Sequence, residues 1–155
     1  MGADVRQTFA EGLAGEPLGS IVVRHGDLVA THIEPQEVPG VIDELPVLAA
    51  LATHGGELSV SGAQELRVKE SDRISALAEG LRRMGGDVDE QPDGFHVRGT
   101  QRLRGGDVDA KNDHRLAMAF AIAALGARGP TTINDAGAAA VSYPDFFPVL
   151  ESLRA

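Results

Sequence analysis

Cysteine is absent from the 155 residues. That removes disulfide frameworks and cysteine-based zinc sites and is compatible with a reducing compartment. Tryptophan is absent too, and aromatic residues make up only 4% of the chain, so a core must be assembled from Ala, Leu, Val and Ile. Basic residues are in deficit, 14 Lys and Arg against 23 Asp and Glu, giving a formal charge of −9. This balance argues against broad binding to nucleic acid or to an anionic membrane, both of which need a basic surface. It leaves room for a small anion held by a few clustered cations. The longest apolar run, residues 116–125, is far short of the ~20 residues that span a bilayer. Met1-Gly2-Ala3-Asp4-Val5 has no basic region leading into an apolar one and does not read as a signal peptide. A cytoplasmic location is expected. His25, His32, His54 and His96 are isolated, without the spacing of a histidine metal motif, and Ser142 has no partnered histidine motif.

What the sequence does have is apolar content typical of a globular domain, 43%, and 19 glycines for tight turns. It also repeats itself. Met1-Gly2-Ala3-Asp4-Val5 recurs as Met84-Gly85-Gly86-Asp87-Val88. Asp43-Glu44-Leu45 leads an Ala/Leu-rich run, as does Asp113-His114-Arg115. Val68, Asp72 and Ile74 match Val141, Asp145 and Phe147 at one constant offset.

Within one repeat, residues 20–24 and 28–33 read as strands joined by the turn His25-Gly26-Asp27. A helix is expected over residues 42–52, with Pro46 in its first turn, then a short strand over 58–61. A second helix over 71–84 carries Ile74, Leu77, Ala78, Leu81 and Met84 as one apolar stripe, with Ser71 as N-cap and Gly85-Gly86 as its stop. The second repeat gives strands near Val88 and over 95–98, a helix from His114, a strand at Thr131 and a closing helix from Pro144. Residues 100–106 read as a polar, basic surface loop. The pattern is an α/β arrangement with sheets on one side and helices on the other. The first repeat lacks the helix that precedes the equivalent segment of the second, so a longer parent chain is expected.

Charges gather where these helices begin. Helix N-termini favour anions, so acidic residues there serve as caps, whereas Lys69, Arg73 and Arg115 oppose the dipole. A bound anion would resolve that conflict. The plain alternatives are an Arg73 surface pair with Glu70, an Arg115 pair with Asp113, capping roles for Asp43 and Asp113, and a structural hydrogen bond from His114.

Four segments carry a resemblance. Arg67-Val68-Lys69-Glu70-Ser71-Asp72-Arg73 resembles the signature segment of EPSP synthases, and Asn112-Asp113-His114-Arg115-Leu116-Ala117-Met118 their second signature. Ile42-Asp43-Glu44-Leu45-Pro46 and Ser142-Tyr143-Pro144-Asp145-Phe146-Phe147 resemble two more segments of that family. The likeness runs in order through the whole chain. It implies repeated βαββαβ units, with sheets outside and helices buried, three units to a domain and two domains around a cleft. Residues 1–155 are expected to be an incomplete C-terminal domain of about two units, without its partner domain or the N-terminal part of the enzyme.

The resemblance also implies a reaction: transfer of the carboxyvinyl group of phosphoenolpyruvate to the 5-hydroxyl of 3-phosphoshikimate, through a tetrahedral intermediate, with no metal or organic cofactor. By motif, Asp43 is the expected base, Glu70 the proton donor, Lys69 a contact to 3-phosphoshikimate, and Arg73 and Arg115 the holders of phosphoenolpyruvate. His114 is a possible supporting residue. Asp43 is expected across a gap from the two arginines. Two positions depart from the common pattern. Val141 stands where many members have Lys, and Glu65 where many have Asn; with Ile-Asp-Glu-x-Pro, Val141 suggests a second branch of the family. The rival readings are the sibling UDP-N-acetylglucosamine enolpyruvyl transferase and a non-catalytic anion-binding module.

Overall fold

The computed structural model describes residues 1–10, 18–99 and 102–153. β1 (Asp4–Ala10) and β2 (Leu18–Arg24) form an antiparallel hairpin. β3 (Ala30–Ile33) leads through the short α1 (Val38–Val41) into α2 (Leu45–Ala52), then β4 (Glu57–Val60). A 3-10 turn (Gln64–Val68) precedes α3 (Arg73–Arg83). The order then recurs: hairpin β5 (Asp87–Gln91) and β6 (Gly94–Arg98), β7 (Gly106–Asp109), α4 (His114–Ala124), β8 (Thr131–Asn134), a 3-10 turn (Ala136–Val141) and α5 (Phe146–Ser152).

Strand pairing repeats with the order. β3 pairs in parallel with β4, and β7 in parallel with β8. β4 also pairs antiparallel with β6, so the second hairpin completes a four-stranded sheet β3-β4-β6-β5. The repeat read from the sequence is thus a repeat of topology. Val68 and Val141 each end a 3-10 turn, and Asp72 and Asp145 each sit at the N-cap of the helix that follows.

Two expectations need correction. Residues 20–24 and 28–33 are not paired across His25-Gly26-Asp27: β2 pairs with β1 instead, and β3 with β4. Turn-forming residues mark where a strand breaks, not which strands pair. Here residues 25–29 cross from one sheet to another, fixed by Val29 N–H donating to the Met1 carbonyl at 3.1 Å. The 100–106 loop is shorter than expected, because Gly106 already opens β7 and Leu103 is buried; positions 100 and 101 lie outside the described residues. β7 itself went unread, as its single apolar residue, Val108, gives no alternation to detect.

The core follows from composition. α2 and α4 are apolar nearly all round and pack against each other, burying Leu45, Ala49, Ala52, Leu116, Ala117 and Phe120 completely. α3 is amphipathic and lays Ile74, Leu77, Ala78 and Leu81 on the same core, with β5 and β7 beneath it. It ends where Gly85 takes φ +90, Gly85 N–H bonding to Arg82 and Gly86 N–H to Leu81, the left-handed helix stop that glycine supplies. The first hairpin differs from the second. Phe95 and Val97 of β6 are fully buried, whereas Phe9, Ile21 and Val23 are each about two-thirds or more exposed.

Gly80 reports how closely α3 and α4 approach. A Cβ there would stand 2.3 Å from the ring of Phe120, itself fully buried. Alanine adds about 0.8–1.0 kcal/mol of helix propensity over glycine, but overpacking a rigid core costs about 1–3 kcal/mol. Gly80→Ala is therefore expected to destabilise the protein by about 1–2 kcal/mol in urea unfolding followed by circular dichroism; a stabilised variant would contradict this packing.

Candidate functional site

The signature segment between β4 and α3 is anchored before it reaches the site. Gly62 N–H donates to the Asp93 carboxylate at 2.9 Å and Ala63 N–H to the Asp93 carbonyl at 2.6 Å, tying the segment to the β5–β6 turn. Arg67 continues the clamp, donating to the carbonyls of Pro92 and Gln91 at 2.6 Å each and pairing with Asp72 at 2.8 Å and Glu90 at 3.1 Å. Asp72, not Ser71, caps α3 by accepting from Ser75 N–H at 3.1 Å. Burial pushes the Asp72 carboxyl up, but the Ser75 N–H and the Arg67 guanidinium outweigh it and hold the carboxyl below its ordinary range. Arg67 and Asp72 thus serve the architecture, leaving Glu70 exposed and Arg73 turned inward.

Arg73, the first residue of α3, is 1% exposed. A cation there opposes the helix dipole, and the fold answers with three carboxylates. Arg73 Nε donates to Asp113 at 2.7 Å, Nη1 to Asp43 at 3.2 Å, and Nη2 to Glu70. Asp113 is 0% exposed and comes from the other end of the sequence, as the N-cap of α4. It also accepts from the Ser71 hydroxyl at 3.0 Å and from the backbone N–H of Arg115 at 2.9 Å. Burial alone would push the Asp113 carboxyl up; the hydrogen bond and charge of Arg73, then the Ser71 and Arg115 donors, hold it below the ordinary carboxylate range. Burial likewise works against the charge of Arg73, and its acidic partners raise its pKa regardless. Just before Asp113, Lys111 and Asn112 both adopt left-handed backbone, φ +53 and +56. That conformation costs roughly 1 kcal/mol or more per residue and is braced by Asp109 accepting from the Lys111 N–H and Nζ.

Arg115, in the first turn of α4, reaches across to the start of α2. Its Nη2 lies 3.2 Å from the second oxygen of Asp43, and its Nη1 donates to the Asp43 carbonyl at 3.0 Å. Asp43 therefore bridges the two arginines, one carboxylate oxygen on each. It does not cap α2; Glu44 takes the N-cap position without a side-chain cap bond. It also does not lie across a gap from the arginines, as the sequence reading expected. Its carboxylate fills the space between the two guanidinium groups. Lys69 is turned to Glu65, at 2.6 Å. His114, the first residue of α4, is half-buried and takes no part in the ion pairs.

The structure thus brings together Asp43, Glu70, Arg73 and Arg115 from three helix N-termini. It satisfies the misplaced cations with protein carboxylates instead of leaving them facing solvent. Asp113, weighed in the sequence as a cap or as a partner of Arg115, is the buried partner of Arg73, a role that no local pattern announces. A separate cavity of about 530 Å3 opens at the other ends of α2 and α4, beside His25, His54 and Arg102; helix C-termini present carbonyls there and disfavour anions. Among the described residues no cluster of three or more acidic, histidine or cysteine side chains suits a metal ion, and no helix is long and apolar enough to cross a membrane.

The two α/β repeats, with cationic side chains at helix N-termini, have the EPSP synthase-like fold of the enolpyruvyl transferases. The EPSP synthase (3-phosphoshikimate 1-carboxyvinyltransferase) family profile matches residues 1–150, and the chain belongs to that family. It is 46% identical to the 3-phosphoshikimate 1-carboxyvinyltransferase of Sulfurihydrogenibium sp. (strain YO3AOP1), over 99% of this chain and 36% of the relative. It is 47% identical to that of Synechococcus sp. (strain JA-3-3Ab), over 99% and 35%. The EPSP synthase structure from Acinetobacter baumannii superposes with a TM-score of 0.89 at 36% identity, covering 98% of this chain and 36% of that one. The chain spans about a third of the length of the relatives it matches.

Removing the charge of Asp113 leaves Arg73 buried without its one fully buried partner. Asp113→Asn is expected to cost about 3–5 kcal/mol of stability at neutral pH, measured by chemical unfolding. The pH dependence has a definite sign. A carboxyl held below its unfolded value contributes stability that is full above about pH 4 and is lost as pH falls toward the folded pKa. Wild-type stability should therefore drop on acidification below about pH 4, and Asp113→Asn should flatten that drop; an unchanged slope would contradict the pairing.

Proposed function

We propose that this chain is part of a 3-phosphoshikimate 1-carboxyvinyltransferase, as an incomplete C-terminal domain comprising about two of three βαββαβ units. Its partners are then the missing N-terminal part of the enzyme and two small anions, phosphoenolpyruvate and 3-phosphoshikimate. Strand pairing supports the partial domain: β4 is flanked by β6 of the next repeat, while among the described residues β8 has only β7 beside it. The observation that carries the functional reading is the convergence of Arg73 and Arg115, from different helices, on one carboxylate. Two guanidinium groups fixed on a common anion are a ready-made carboxylate clamp.

In this reading Arg73 and Arg115 hold the carboxylate of phosphoenolpyruvate, and Lys69 leaves Glu65 to meet 3-phosphoshikimate. Asp43 accepts the proton of the 5-hydroxyl as its oxygen attacks the substituted vinyl carbon. Glu70, exposed and beside Arg73, protonates the methylene carbon. Loss of phosphate and of one proton from the resulting methyl group then restores the vinyl unit, so charge and atoms balance without a metal or an organic cofactor. The acidic chain holds polyanions through these few cations together with those of the missing part.

The tests separate binding from chemistry. In the complete enzyme, Arg115→Ala should weaken phosphoenolpyruvate binding by at least about tenfold, the cost of one charge-assisted contact. Glu70→Gln should lower kcat by about 100-fold or more with a smaller change in KM, as loss of a general acid does. The 155-residue chain alone should release no phosphate from the two substrates, because one face of a cleft cannot enclose them. Unchanged turnover in Glu70→Gln would end the assignment of that residue.

A further inference from the structure

Arg73 carries two kinds of acidic partner. Asp113 is completely buried and lies 2.7 Å from Nε, with three further donors of its own. Nothing in solution can replace it. Asp43 has a side chain 44% exposed, and both of its guanidinium contacts are 3.2 Å, the long end of the hydrogen-bond range. Arg115 is not satisfied by it either: Arg115 Nε is buried with no hydrogen-bond partner. One arginine thus combines a permanent partner with an exchangeable one, and the exchangeable carboxylate sits between two guanidinium groups in the place where a ligand carboxylate has most to gain.

We propose that Asp43 is an internal placeholder for the substrate carboxylate: its own carboxylate occupies the clamp of Arg73 and Arg115 and must leave when an anionic ligand enters. The inference rests on the site reading given above and deepens it. The exchange makes and breaks no covalent bond. One carboxylate replaces another on the same two guanidinium groups, and Asp43 is released with its charge unpaired. Its consequence is a coupling. While Asp43 is clamped, one lone pair of each of its oxygens is committed to a guanidinium group; the event that fills the clamp is the event that releases both oxygens toward the hydroxyl.

The placeholder gives a sign that the other roles of Asp43 do not. A base that acts only in chemistry leaves substrate affinity unchanged when it is removed, and a residue that only shapes the site weakens binding when it is lost. A competitor for the clamp tightens binding when it is lost. Titration calorimetry of the complete enzyme with phosphoenolpyruvate is therefore expected to give a Kd about threefold or more lower for Asp43→Asn than for wild type, the scale of a partly exposed ion pair, while kcat falls. Asp43→Ser should show the same direction and guards against a misfolded amide variant. Glu44→Gln controls for plain repulsion, because it removes the same charge 3.5 Å from Arg115 without touching Arg73. It should change Kd by less than half as much on a logarithmic scale. Equal or weaker binding in Asp43→Asn and Asp43→Ser, or equal tightening in Glu44→Gln, overturns the placeholder. Arg115→Ala in the same series tells that failure from a failure of the site. If Arg115→Ala weakens binding while Asp43→Asn does not tighten it, the clamp stands without a placeholder. If Arg115→Ala leaves Kd unchanged, the clamp itself is wrong and the placeholder falls with it.

Discussion

The buried ion pair between Arg73 and Asp113 is the constraint around which the open end of this domain is arranged. Two charges removed from water are stable only if their remaining donors and acceptors are also met. Here they are: Asp113 takes Arg73, Ser71 and the first turn of α4, and Arg73 takes Asp113, Asp43 and Glu70. The pair fastens the N-terminus of α3 to that of α4 and so fixes the direction in which Arg115 leaves its helix. The left-handed residues Lys111 and Asn112 are what this fastening demands of the backbone, since the chain must turn sharply out of β7 to aim the Asp113 carboxylate inward.

Set beside the internal repeat, that pair marks where the two halves diverge. Val68 and Val141 end equivalent 3-10 turns, equally exposed, and Asp72 and Asp145 precede equivalent helices. Yet only Asp72 caps its helix through its side chain, because Arg67 and Ser75 hold it in place. The α2 and α4 starts diverge in the same way. α4 has a side-chain cap and uses it to bury a charge, whereas α2 has none and leaves Asp43 free to point at the arginines. The repeated unit thus has a capped helix start at α4, which fixes Asp113, and an uncapped one at α2, from which Asp43 meets the arginines.

Much of this was legible in advance for identifiable reasons. α3 has a strong stripe at helical spacing and a Gly-Gly stop, and the structure keeps both. The repeat placed the second-half elements by analogy with the first. Pairing partners were not legible: residues 20–24 carry ordinary strand residues, but whether they bond to what precedes or follows is decided by contacts far along the chain. β7 was too short and too polar to register. At the site, the expected residues Asp43, Glu70, Arg73 and Arg115 do meet. Their arrangement was the unreadable part, because sequence spacing says nothing about a bond between Arg73 and Asp113, and an aspartate before a helix looks the same whether it caps a surface helix or anchors a buried guanidinium.

The charge of the chain and the charge of its proposed ligands then cease to conflict. A formal charge of −9 is a long-range quantity, screened over about 8–10 Å in physiological salt; what an entering anion meets at contact is the fixed pair of guanidinium groups. Those groups carry no net invitation while Asp43, Glu70 and Glu44 surround them, so an anion gains from the clamp only as far as it outcompetes carboxylates already present. That makes selectivity a matter of shape and of the number of donors reached at once. A ligand carboxylate able to use the unsatisfied Nε of Arg115 as well as the bridging nitrogens has an advantage that a simple monovalent ion lacks. On the proposed reading the acidic surroundings act as a filter, favouring only anions that exceed what Asp43 provides.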